Sequence, residues 1–147
     1  MAAVAFVLAS ALAGTDAAAA GVAAYRVVGD AVPEPLAGLV GDPVRGRDIV
    51  LDRRRGNCLI CHAVPVEDEP FQGDIGPPLA GVGRRLDEAR LRLRIVDSTL
   101  LNPDSVMPAY HRTHELNRVA AKWRGKPVLD AGEVEDVVAY LASLQGR

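Results

Sequence analysis

The chain has 147 residues, a length that fits one domain and allows a substantial core. Its formal net charge of −2 spreads no broad basic field, which argues against nucleic acid or a membrane surface as partner. Aromatic residues make up only 4%, so side chains alone leave the core short of flat apolar volume.

Met1 to Gly14 form an apolar Ala/Val/Leu run, and small residues follow as far as Ala24. This pattern predicts a secretory signal peptide over residues 1–24, with small-x-small sites ending at Ala20 or Ala24. It departs from the usual form because the first basic residue, Arg26, comes after the apolar run and not before it. Asp16 interrupts the run short of the ~20 residues a membrane span needs, so no membrane anchor is expected in the mature form. Residues 25–41 carry Pro33 and Pro35 on either side of Glu34, a density that resists helix and predicts an extended arm over the surface.

The folded domain is expected over 42–147. Asp42 can cap a helix whose first residue, Pro43, has no amide hydrogen to leave unpaired. The helix should run to about Arg55, with Val44, Ile49 and Val50 at apolar positions and Gly46 permitting a close backbone approach. Gly56 should end it.

Next come Cys58-Leu59-Ile60-Cys61-His62, which read C-x-x-C-H. Two thiols at this spacing can each add to one vinyl group of a haem, and the adjacent histidine becomes the proximal iron ligand. These are the only two cysteines in the chain. A zinc half-site would need two further ligands at finger-like spacing, and there is no second C-x-x-C. A thioredoxin-like pair would follow a strand in a βαβ pattern, which the sequence lacks. The motif therefore predicts one covalent haem c, held by Cys58 and Cys61, with His62 on the iron.

After the acidic loop Glu67-Asp68-Glu69 comes Gly76-Pro77-Pro78-Leu79. A ligating imidazole keeps one ring N–H, which usually finds a fixed acceptor, and the Pro77 carbonyl is the candidate. A second helix is expected from about Asp87 to Leu100, with Leu86 and Leu91 at the spacing of a hydrophobic staple and Asn102-Pro103 as its stop. Ser105 to Tyr110 should be an irregular loop. A short helix is expected over Leu116 to Trp123. Asp130 and Glu133 then form a capping box for a last helix with Val134, Val137, Val138, Leu141 and Leu144 at helical spacing, and Tyr140 packs near Gly46.

A six-coordinate haem needs a ligand opposite His62. Met107, held between Val106 and Pro108, is the only methionine left once Met1 is removed with the leader. His111, His114 and an open iron are the alternatives. A thioether favours the reduced metal and fills the second axial site, which points to electron transfer over oxygen activation.

The order helix, C-x-x-C-H, Gly-Pro-x-Leu, Met loop, C-terminal helix resembles the class I cytochromes c over residues 42–146. Within that, Gly41-Asp42-Pro43, Gly56-Asn57-Cys58-Leu59, the run from Ile75 to Gly83, the run from Asn102 to His111 and Gly125-Lys126-Pro127-Val128-Leu129 resemble the SoxX family. The resemblance implies an all-α domain wrapped around one covalent haem, with an extended N-terminal arm. It implies His62 and Met107 as axial ligands and a periplasmic heterodimer with SoxA. That complex joins thiosulfate to a cysteine of the carrier SoxYZ, an L-cysteine S-thiosulfotransferase reaction whose active site lies on SoxA. This subunit would carry no catalytic residue and would pass electrons to a downstream cytochrome. A free-standing electron shuttle is the alternative, with a haem-based sensor behind it. Arg53-Arg54-Arg55 and Arg84-Arg85 flank the motif and the Gly/Pro loop, and they suit either mode of docking.

Overall fold

The computed structural model describes residues 22–146, so the leader expected over 1–24 lies almost wholly outside the described residues. Among the described residues four α-helices carry the fold: α1 (Pro43–Leu51), α2 (Val82–Arg85), α3 (Glu88–Asp97) and α4 (Ala131–Ser143), joined by loops and single 3₁₀ turns. Among the described residues the only β-pairing is an isolated bridge between Val28 and Ala31.

The ends of the helices follow from their caps. Asp42 accepts the amides of Val44 and Arg45 at the start of α1, and Asp87 accepts that of Arg90 in α3. Asp130 and Glu133 close a reciprocal capping box on α4. Helix α1 stops at Leu51, short of the expected Arg55, because Asp52 turns extended and gathers the next turn onto itself. Its side chain accepts the Arg54 amide, and its carbonyl accepts those of Arg55 and Asn57. Helix α3 similarly gives way at Asp97, whose carboxylate accepts from both Thr99 N–H and its hydroxyl and starts a 3₁₀ turn over Ser98–Leu100. The helix expected over Leu116 to Trp123 reduces to one 3₁₀ turn, Ala121–Trp123.

Helices α1 and α4 cross at Gly46. A Cβ there would lie 1.9 Å from the Asp136 carbonyl oxygen and 2.9 Å from the Tyr140 Cβ, so only glycine permits this crossing. Val134, Val137, Val138 and Leu141 of α4 meet Ile49 and Val50 of α1 and Leu93 and Val96 of α3 in one buried cluster.

The N-terminal arm is extended but is more than a surface cover. Val32 and Leu36 are each 1% exposed and enter that core. A buried ion pair anchors the arm: the Arg92 guanidinium on α3 donates twice to the Glu135 carboxylate on α4, at 2.7 and 2.8 Å. Arg92 also donates to the Val32 carbonyl at 2.8 Å, and Glu135 accepts the Leu36 amide at 2.8 Å. Two helices and the arm thus meet in one satisfied network. Removing one member strands a buried charge. Glu135→Leu should therefore cost about 3–5 kcal/mol, whereas Arg92→Leu with Glu135→Leu should cost less than the two single changes added together. Urea denaturation of the four proteins checks this, and additive costs would show that the two charges act independently.

Candidate functional site

Between α1, α3, α4 and the loops lies a cavity of about 850 Å³. Its walls are apolar, with Val50, Leu79, Val82, Leu91, Ile95 and Leu141 among them. At its rim Ile60, Ile75 and Val106 are exposed, at 58%, 70% and 79%. Cys58, Cys61, His62, Pro77 and Met107 all line this one cavity.

The geometry begins at Gly56, where a Cβ would press to 2.7 Å on the Ile49 carbonyl. Asn57 then takes a left-handed conformation (φ 50°), and Cys58–Ile60 form a single 3₁₀ turn. The amides of Cys61 and His62 both donate to the Cys58 carbonyl, at 3.1 and 2.9 Å, so the thiols and the imidazole are carried on one tight turn. Neither cysteine is in a disulfide. Burial pushes the Cys58 thiol up to about 11, the opposite of the depressed value that marks a redox-active or metal-binding thiolate. Among the described residues no cluster of three or more His, Cys, Asp and Glu side chains could hold a metal ion by itself.

The loop after the motif folds back along it. Gly73 donates to Leu59, Gly76 to Cys61 and Leu79 to Ala63, each at 2.8 Å. This places the Pro77 carbonyl 2.7 Å from His62 Nδ1. A carbonyl can only accept, so the proton sits on Nδ1 and the lone pair on Nε2. Gly76 makes room for the ring, since a Cβ there would lie 2.3 Å from His62 Cε1. Arg85 braces the same loop, donating to the carbonyls of Pro78 (2.9 Å) and Ala80 (2.7 Å). In the sequence Arg85 belongs to the basic pair Arg84-Arg85, and no local signal marks it as a loop clamp.

The Met107 loop is tied to the end of α3. Ser98 Oγ donates to the Met107 carbonyl at 3.1 Å, and the amides of Tyr110 and His111 donate to the carbonyls of Ile95 and Val96. Tyr110 O–H donates to the Gly56 carbonyl at 2.7 Å, joining the Met loop to the approach of the cysteine motif. Burial raises the Tyr110 phenol well above its ordinary range and keeps it a donor. No local signal foretells this tie, because Tyr110 and Gly56 are distant in the chain.

His111 is fully buried with both ring nitrogens engaged. Ala23 N–H donates to Nε2 at 2.9 Å, and Nδ1–H donates to the Leu129 carbonyl at 2.8 Å. It does not line the cavity, and its Nε2 lone pair is directed at the Ala23 amide and not at the Met107 side. His114 is exposed and does not line the cavity. The cavity therefore combines one imidazole with a free lone pair, one thioether, two thiols and apolar walls. That donor set and volume suit a flat apolar macrocycle carrying a metal.

No family model and no curated protein matches the sequence. Among solved structures, the chain is similar to one in the crystal structure of SoxXA from P. pantotrophus, with 34% identity and a TM-score of 0.76 over 82% of this chain and 94% of that one. Identity at this level, over nearly the whole of both chains and with an all-α fold around one cavity, shows that the chain belongs to the SoxX family of c-type cytochromes, proteins of electron transfer.

Proposed function

We propose that this protein is the haem-bearing electron-transfer subunit of a SoxAX complex, receiving electrons as a SoxA partner joins thiosulfate to a cysteine of the carrier SoxYZ. The observation that carries the reading is the 850 Å³ cavity in which the C-x-x-C-H motif and the Met107 loop face a common space. The cofactor would be one haem c, which supplies reversible one-electron transfer when bound. Cys58 and Cys61 would hold it by thioethers, and His62 Nε2 and Met107 Sδ would bind its iron. Pro77 accepts the His62 Nδ1 proton, which fixes the tautomer and makes the imidazole a better donor. Met107, in place of a second imidazole, would favour the reduced state. Val50, Leu91, Ile95 and Leu141 exclude water and lower the local dielectric.

Joining thiosulfate to a thiol releases two electrons, and a monohaem chain carries one at a time. Both cysteines are committed to the cofactor, so no thiol remains here to accept thiosulfate. The bond-forming site therefore belongs on the partner, and a downstream cytochrome takes the electrons onward. The expected compartment is the periplasm, reached through the N-terminal leader. Among the described residues no helix is long and apolar enough to cross a membrane.

Haem should stay on the polypeptide through acid-acetone extraction of wild-type protein, and Cys58→Ser or Cys61→Ser should each lower the covalent yield. Extractable haem would overturn the thioether assignment.

Met107→Ala should abolish the weak far-red absorption of sulfur bonded to ferric iron, lower the potential and open the site to external imidazole. His111→Gln should leave that absorption in place while costing about 1–3 kcal/mol on chemical denaturation, because it disturbs the buried hydrogen bond to the Leu129 carbonyl. The reverse pattern would move the ligand from Met107 to His111.

Purified alone, the protein should reduce and reoxidise without turning over thiosulfate. Mixed with a SoxA subunit and its thiol substrate, it should become reduced on addition of thiosulfate. Elution as a lone chain that exchanges electrons at full rate with an oxidase would favour the free shuttle.

A further inference from the structure

We propose that the loop over residues 112–127 is the surface by which this chain docks its haem-bearing partner subunit, through an acidic, apolar-pocketed face on that partner. The inference rests on the reading of the protein as one half of a cytochrome complex and names the surface that makes it so.

The loop is pinned at its base. Leu129 N–H donates to the Tyr110 carbonyl at 2.9 Å, and the Leu129 carbonyl accepts from His111 Nδ1 at 2.8 Å. The excursion between them, residues 112–128, is long for a connection in a compact domain and holds a single 3₁₀ turn, Ala121–Trp123. Among the described residues, no backbone amide or carbonyl from Thr113 to Val119 takes part in a backbone hydrogen bond. The fold gains few backbone contacts from this stretch, which leaves it free to contact a partner.

Its composition selects the partner. Arg112, Arg118, Lys122, Arg124 and Lys126 stand against one carboxylate, Glu115, in a chain that is net negative. Arg112 is paired with Asp97, but the other four cations have no carboxylate partner among the described residues. Trp123 is 45% exposed with Lys122 Nζ 5.5 Å from its ring centroid, and Leu116 is 37% exposed. Trp and Arg are the residues that dominate binding energy at protein interfaces. Here they border a cleft of about 370 Å³ with Leu116 and Val119. Cations set beside an apolar anchor fit an acidic protein face that can also take an indole. The loop leaves from Tyr110 and returns through Val128, and both line the haem cavity, so the base of the loop adjoins that cavity.

The test uses the mature haem-loaded protein and the purified SoxA subunit as probe. Lys122→Glu with Arg124→Glu should slow association at low salt by about ten-fold and flatten its salt dependence. Trp123→Ala should speed dissociation by about ten-fold. Arg47→Glu, an exposed charge reversal on α1, should stay within about two-fold of wild type. Hydrogen exchange on the wild-type pair gives an answer without any variant: amides 113–119 should exchange at least about ten-fold more slowly in the complex. If wild type fails to bind SoxA at all, the functional reading itself is overturned. If wild type binds while the loop variants bind equally well and amides 113–119 exchange unchanged, the loop is not the docking surface. Self-association of the chain through this loop would overturn it too.

Discussion

The proton on His62 Nδ1 sets what the rest of the site can be. It is donated to the Pro77 carbonyl at 2.7 Å, so the only lone pair left on the ring is at Nε2. Everything nearby serves that contact. Three backbone hydrogen bonds lay the 73–79 loop along the motif, Gly76 stands clear of the ring, and Arg85 holds the following carbonyls. A looser loop would let the imidazole rotate and exchange tautomers, and Nε2 would no longer hold a fixed lone pair.

His111 shows the same tautomer put to the opposite use. Its Nδ1–H also meets a carbonyl, that of Leu129, but its Nε2 is taken by the Ala23 amide. One histidine lines the cavity and the other does not, although both lie on cytochrome-like stretches of sequence. The second is a tie between the N-terminal arm, the Met107 loop and the lead-in to α4. It is also the point from which the 112–127 loop departs, so the features that hold the cavity together also hold the exposed loop in place.

The buried Arg92–Glu135 pair makes the arm part of the fold. A salt bridge in the core contributes little net stability by itself, because desolvation offsets the attraction. Its value lies in specificity: the spare donor of Arg92 and the spare acceptor capacity of Glu135 reach the Val32 carbonyl and the Leu36 amide. Any other path for the arm would leave those groups unpaired in the interior.

Local chemistry was legible in the sequence wherever it is set by neighbours in the chain. The caps Asp42, Asp87 and the Asp130/Glu133 box act over three residues, and C-x-x-C-H acts over five, so each could be read directly. The close approach at Gly46 followed from the same local logic, and the all-α class from the resemblance to the class I cytochromes c. Only the tertiary structure decided between Met107 and His111 as the side chain facing the cavity: Met107 lines it, whereas His111 is turned away onto the distant Leu129 carbonyl. It likewise decided where α1 and α3 stop, since Asp52 and Asp97 turn their carboxylates back on the chain in competition with helical bonding. The burial of the arm and the roles of Tyr110 and Arg85 were out of reach for the same reason. Propensity and spacing describe what a residue can do within a turn or two, and these contacts join segments that meet only after the chain has folded.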